Sequence, residues 1–249
     1  MKKKILVACL CVALAVLTIA GTTLAYLTST DKVENTFTVG NVSIKLDEAE
    51  VNTDGTLVEG AERVKTNSYK LMPGHTYIKD PTITVLKGSE DCYVRMKVTL
   101  NNASMIKDMC QDPEYKEYYD EEWHTEEQIK ILPVSGNGLF DINELYADTY
   151  WSPVVTNMMN LEAVMNNPKY MSYDAKTDTL TYYFYYNGTV SAPTDDVALP
   201  VLFDSITVPE WVTGEQLGKL NNFKIDVVAE AIQADGFADA DAAWAAFAN

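Results

Sequence analysis

The chain has 249 residues, 47% of them hydrophobic, and 36 acidic against 19 basic residues give a net charge of −17 at pH 7. That balance argues against nucleic acid, whose phosphates require a basic face, and against anionic lipid; it suits an exported protein kept in solution by its charge. Length and hydrophobic content allow one large domain with a substantial core, and fifteen tyrosines point to strands over a helical bundle.

Three lysines open the chain, and the run from Ile5 to Ala20 carries no charge. Sixteen residues fall short of the roughly 20 that a spanning helix needs. A basic start, an apolar middle and the small-residue exit Thr23-Leu24-Ala25 together read as a secretory signal over residues 1–25, cut between Ala25 and Tyr26. The alternative is an uncleaved anchor, so membrane contact is expected only through the uncleaved signal. Cleavage removes three lysines and no acid. Residues 26–249 then form a single domain with 16 basic against 36 acidic residues and a net charge of −20. Cys92 and Cys110 remain in a compartment where a disulfide can form, but the intervening strand carries the chain about 26 Å away, at roughly 3.3 Å per residue. Two unpaired, packed cysteines are the favoured expectation.

Along the mature chain, Phe37 and Val39 share one alternating phase and Val42, Ile44 and Leu46 the other, with the slip at Gly40-Asn41. The segment from Thr36 to Leu46 therefore reads as a bent strand with a bulge, or as two strands meeting at a corner. Residues 47–68 are polar, with a turn at Asp54-Gly55, and Leu71-Met72-Pro73-Gly74 suits a type II turn. Ile83 and Val85 mark a strand. Cys92, Val94, Met96, Val98 and Leu100 alternate with Tyr93, Arg95, Lys97 and Thr99, the cleanest half-buried strand in the chain. From about 101 to 175 the pattern turns to helix-like pieces, including Ala103 to Gln111, Glu126 to Leu132 and Val154 to Met165. This reads as a mixed insertion within one domain. Strands return at Leu180 to Tyr186, Val201 to Val208 and Phe223 to Ala231. The chain closes on a short helix, Asp239 to Phe247, whose Ala240, Ala243, Trp244 and Phe247 form one apolar stripe. Spaced strands with turn signals favour a mainly β architecture, a β-sandwich.

Several segments in order resemble one family. GTTLAYLTSTDKVENTFTVGNVSIKL and YKLMPGHTYIKDPTITVLKGSEDCYVRMKV are similar to the signal region and the L-x-P-G turn with its strand pair in the TasA/camelysin family. LTYYFYYNGTVSAP, LPVLFDSITVP and IDVVAEAIQADGFADADAAWAAF resemble that family's closing strands and C-terminal helix. The resemblance implies a jelly-roll β-sandwich, export by a Gram-positive bacterium and processing by a SipW-type signal peptidase. It also implies either a fibre subunit of the extracellular biofilm matrix or a camelysin-like cell-surface metallopeptidase.

The residues give the peptidase little support. A catalytic zinc usually takes about three protein ligands, and the chain has two histidines, His75 and His124, neither within H-E-x-x-H. His75 reads as a solvated turn residue, and the acids between Asp112 and Glu127 lack the alternation of a calcium loop. No catalytic residue, metal ligand or cofactor is assigned, and the chain is not expected to be an enzyme. The aromatic run Tyr182 to Tyr186 reads first as cross-strand packing, with glycan or subunit binding as the alternative.

The leading expectation is a secreted matrix protein that self-associates into a homopolymer by strand addition; a surface peptidase and a monomeric adhesin are the alternatives. Leu27, Val33, Phe37 and Val39 share one phase in a stretch that has neither glycine nor proline before Gly40, so the freed N-terminus is the candidate donor strand. Secreted protein is expected to begin at or within a few residues of Tyr26 on N-terminal sequencing; Met1 on the exported chain contradicts cleavage.

Overall fold

The computed structural model describes residues 40–110, 140–142, 150–153, 167–220 and 222–247. The fold is mainly β. Its centre is strand β4, Ser89–Asn101, 13 residues long, and it forms as the alternation requires. Cys92, Val94, Met96, Val98 and Leu100 are each at most 1% exposed, while the residues between them face outward. Burying five such side chains contributes about 1.5–3 kcal/mol each.

Strands β1 (Ile44–Asp47), β2 (Thr76–Ile78) and β3 (Thr82–Val85) precede it; β5 (Phe140–Ile142), β6 (Trp151–Ser152), β7 (Met171–Asp174), β8 (Thr179–Tyr186), β9 (Val190–Ala192), β10 (Val197–Ala198), β11 (Phe203–Thr207) and β12 (Ile225–Gln233) follow. The large sheet runs β12-β4-β8-β6, with β7 also on β8 and β9 also on β4. β12 is antiparallel to β4 from Ile225↔Leu100 to Gln233↔Cys92; on the other side β8 runs from Arg95↔Tyr185 to Asn101↔Thr179. Two three-stranded sheets, β1-β3-β10 and β2-β11-β5, complete the set. Their inward residues, including Ile83, Val85, Phe203 and Ile206, join those of β4 and β8 in one core cluster. Trp151, 1% exposed, anchors there and donates from Nε1 to the Pro200 carbonyl at 2.9 Å.

Several expectations hold in detail. His75 N–H donates to the Met72 carbonyl, and Gly74 at φ 70° occupies the left-handed position of a type II turn. Helix α1 spans Ala103–Cys110. Its first turn is held by Asp178, whose carboxylate accepts from Ser104 N–H at 2.9 Å and from the Ser104 hydroxyl at 2.8 Å. The closing helix, here α3, spans Ala240–Phe247; Asp239 caps it by accepting from Ala242 N–H at 2.8 Å.

Others need correction. Of the strand expected from Thr36 to Leu46, Thr36 to Val39 lie outside the described residues; within them β1 begins at Ile44, and the residues just before it are pinned to the start of β4, with Glu90 N–H donating to the Asn41 carbonyl at 2.9 Å. The phase reading itself survives, because Val42, Ile44 and Leu46 all pack on the core. Within the stretch from 101 to 175, β6 and β7 both pair with β8 and β5 pairs with β11. The helix-like pieces at 126–132 and 154–165 lie outside the described residues. Sequence reading also passed over α2, Gly214–Lys219, although Thr213 and Gln216 form a capping box that Thr213-Gly214-Glu215-Gln216 signals directly.

The Asp54-Gly55 turn shows how tightly the polar 47–68 segment is seated. Gly55 adopts φ 84°, and a Cβ there would lie 2.6 Å from the Tyr77 Cα. Gly60 has a similar φ of 74° with open space around it. Gly60→Ala is therefore expected to cost only the left-handed backbone term, about 1 kcal/mol, and Gly55→Ala clearly more. Urea midpoints of the two variants check the ordering, and equal midpoints contradict the packing.

Candidate assembly surface and ionic cluster

The outward residues of the large sheet form rows across strands. Glu230, Arg95 and Tyr185 share one row, and Val228, Lys97 and Tyr183 the next. Cations stand on the central strand, Glu230 and Val228 on one neighbour and tyrosines on the other. Arg95 Nε donates to Glu230 Oε2 at 2.5 Å. The guanidinium carbon lies 4.3 Å from the Trp244 ring centroid, 5.0 Å from Tyr183, 5.1 Å from Phe247 and 5.8 Å from Tyr185. A flat, weakly hydrated cation suits such a cage. Helix α3 closes it from above. Trp244 is buried and Phe247 remains 41% exposed, so the predicted stripe docks through its centre and not over its whole length. Lys169 fastens the start of the helix through Asp241 at 2.5 Å and sits 5.2 Å from the Tyr185 ring. Of the aromatic run, Tyr182 and Phe184 are core at 3% exposure; Tyr183 and Tyr185 are half-buried under Arg95 and Lys97, the packing arrangement that the sequence favoured.

Strand β12 ends the large sheet, and among the described residues no strand pairs with its other side. The strand is nine residues long, and β1 comes close to part of it without pairing. Asp226 and Val228 face outward, and Val228 is 46% exposed, one of the exposed large apolar residues of the described set.

A second cluster, not read from the sequence, lies where β1 ends. Asp47 and Glu48 are 4% and 8% exposed. Arg63 Nε donates to Asp47 Oδ1 at 2.6 Å, and its other nitrogens reach Asp80 Oδ2, the Asp47 and Asp80 carbonyls and the Thr82 hydroxyl at 2.7–3.0 Å. Lys45 Nζ forms an ion pair with Asp47 Oδ2 at 2.5 Å. Burial works to raise the Asp47 pKa, but the Lys45 and Arg63 interactions outweigh it and hold the carboxyl below its ordinary value. Lys79, 6% exposed, pairs with Glu48 at 2.5 Å. Asn67 donates to Glu48 Oε2 at 3.3 Å and accepts from Val51 N–H at 3.1 Å. Charge pattern alone could not find this cluster: its six charged members look like ordinary surface charges until the chain brings 45–49, 63–67 and 79–82 together.

Cys92 is a buried free thiol; burial first and the Asp91 charge second push its pKa up to about 11, which makes it inert at neutral pH. The Cys110 side chain lies outside the described residues. His75 is exposed in its turn, 6.3 Å from the Tyr77 ring. Among the described residues no three His, Cys, Asp or Glu side chains group as metal ligands, and no helix is long and apolar enough to cross a membrane. His124, the acids from 112 to 127, the cleavage pair Ala25 and Tyr26, and the donor candidates Leu27, Val33, Phe37 and Val39 all lie outside the described residues.

If α3 is held by the Arg95 cage, Trp244→Ala is expected to lower stability by about 3 kcal/mol. Arg95→Lys, which keeps the charge and loses the planar stack, should cost nearer 1 kcal/mol. Denaturant midpoints test both, and a Trp244→Ala midpoint matching the unsubstituted chain rules out the docking.

No curated protein and no solved structure matches the chain. Residues 1–117 match the model of the camelysin metallo-endopeptidase family, the same TasA/camelysin family that the mature start and the segment around Leu71–Gly74 resemble.

Proposed function

We propose that this is a secreted structural protein of the extracellular matrix that polymerises by strand addition. The mature N-terminus of one copy would supply the strand, and β12 of the next would receive it. The observation that carries this reading is the nine-residue outer edge of β12, unpaired among the described residues and bearing the exposed Val228. A sheet edge offers a row of N–H and C=O groups to any extended segment. The candidate donor places Leu27, Val33, Phe37 and Val39 on one face, suited to lie beside an apolar outward residue such as Val228. At neutral pH the net charge of the mature chain keeps copies apart. Acidification toward the pI of about 4.4 removes that repulsion. Processing by a SipW-type signal peptidase would free the donor only after export.

The family model's own description favours a second reading, a metallo-endopeptidase. On that reading a chelator-sensitive activity should fall in His75→Ala or His124→Ala.

Negative-stain microscopy of the mature protein, at neutral and at acid pH, separates the two. Filaments are expected on acidification. Val228→Lys, which puts a charge on the edge, and a chain starting at Thr36 should both keep the wild-type circular dichroism and form none. Absence of filaments from the mature chain under both conditions, or undiminished filaments from both variants, overturns strand addition at β12.

A further inference from the structure

The buried Lys79–Glu48 pair costs the fold more than a surface pair would, since taking each ion out of water carries a penalty of several kcal/mol. Neither residue faces solvent, and the surface cluster beside it would tie the same segments together. What distinguishes the pair is its third member. Lys79 Nζ lies 2.5 Å from Glu48 Oε1, and Asn67 Nδ2 lies 3.3 Å from Oε2. An amine and a carboxamide thus sit on the two oxygens of one buried carboxylate. The amide is held in a fixed orientation: Nδ2 also donates to the Ala49 carbonyl at 2.8 Å, and Oδ1 accepts from the Val51 N–H at 3.1 Å. Tyr69 shelters the site. Its ring packs edge-on to Tyr77 at 5.9 Å, and its hydroxyl donates to the Ile78 carbonyl, one residue before Lys79.

We propose that Lys79 and Asn67 become joined by an intramolecular isopeptide bond, with Glu48 as the catalytic residue. Glu48 takes a proton from the Lys79 ammonium it already contacts. The freed lone pair attacks Asn67 Cγ. Charge that develops on Oδ1 meets the Val51 N–H, which already points at it. Glu48 hands its proton to the departing Nδ2 and accepts the second proton from the attacking nitrogen as the Cγ–Nδ2 bond breaks. The nitrogen lost from Asn67 leaves as ammonium with two of the three lysine protons; the third stays on the new amide, and Glu48 is regenerated. No oxidant, metal or cofactor enters the balance. The bond closes the segment that carries the Leu71–Gly74 turn into a covalent loop and removes the buried ammonium. It is independent of polymerisation and of any peptidase activity.

Intact mass spectrometry of the purified full-length chain under denaturing conditions is expected to show a mass one ammonia below that of the sequence. A tryptic digest should contain Thr66–Lys70 joined to Leu71–Lys87, with no cut after Lys79. Glu48→Gln and Asn67→Ala should each restore the full mass and the cut. A wild-type chain that is folded by circular dichroism, yet retains its full mass after prolonged incubation at neutral pH, overturns the proposal whatever the variants do. So does a deficit without the branched peptide, or one that persists in Asn67→Ala.

Discussion

Everything in the fold leans on one strand that must satisfy two environments. β4 holds five apolar side chains at no more than 1% exposure on one face and Arg95 and Lys97 on the other. Its backbone is paired by β12 on one side and by β8 and β9 on the other. A one-residue slip would exchange the two faces, placing two cations in the core and five apolar groups in solvent. The register of the whole large sheet is therefore set by β4, and the neighbours are complementary to it on both faces.

On the outer face that complementarity is electrostatic and aromatic. A cation left bare between tyrosines would be partly stripped of water without compensation. Glu230 opposite Arg95 on β12 and Tyr185 opposite it on β8 supply the charge and the π face, and Trp244 completes the enclosure from outside the sheet. This explains how eight residues of alanine-rich helix, too short to be stable alone, hold a fixed place: the helix is held by what its tryptophan touches, by its Asp239 cap and by the Lys169–Asp241 pair.

The polar segment after β1 follows a different logic. It has little apolar surface to bury, so its order comes from Arg63, which spends its guanidinium on Asp47, Asp80 and Thr82, and from Asn67, which fastens Ala49 and Val51. Planar, forked donors are suited to such bridging, where an ammonium would act as a single point of charge. The Glu48–Lys79–Asn67 group sits at the inner edge of this network, where Glu48 and Lys79 are shut off from solvent.

The sequence by itself determined the local events: the alternation of β4, the type II turn at Pro73-Gly74, the Asp239-capped closing helix, and the mainly β class. Each depends on residues near one another in the chain, whose side-chain period or backbone preference acts before any packing. It also pointed to the camelysin resemblance, through five segments of which the first two lie within the matched residues 1–117. Only the tertiary structure decided that β6 and β7 from the apparent insertion belong to the large sheet, that β12 is its end among the described residues, and that Asp47, Glu48 and Lys79 are buried and not solvated. Strand order and the burial of a charge are set by partners far away in sequence, and the pairing energy of a charged group depends on what surrounds it. A lysine or glutamate reads alike in the sequence in either setting, and only the folded chain shows which one is enclosed.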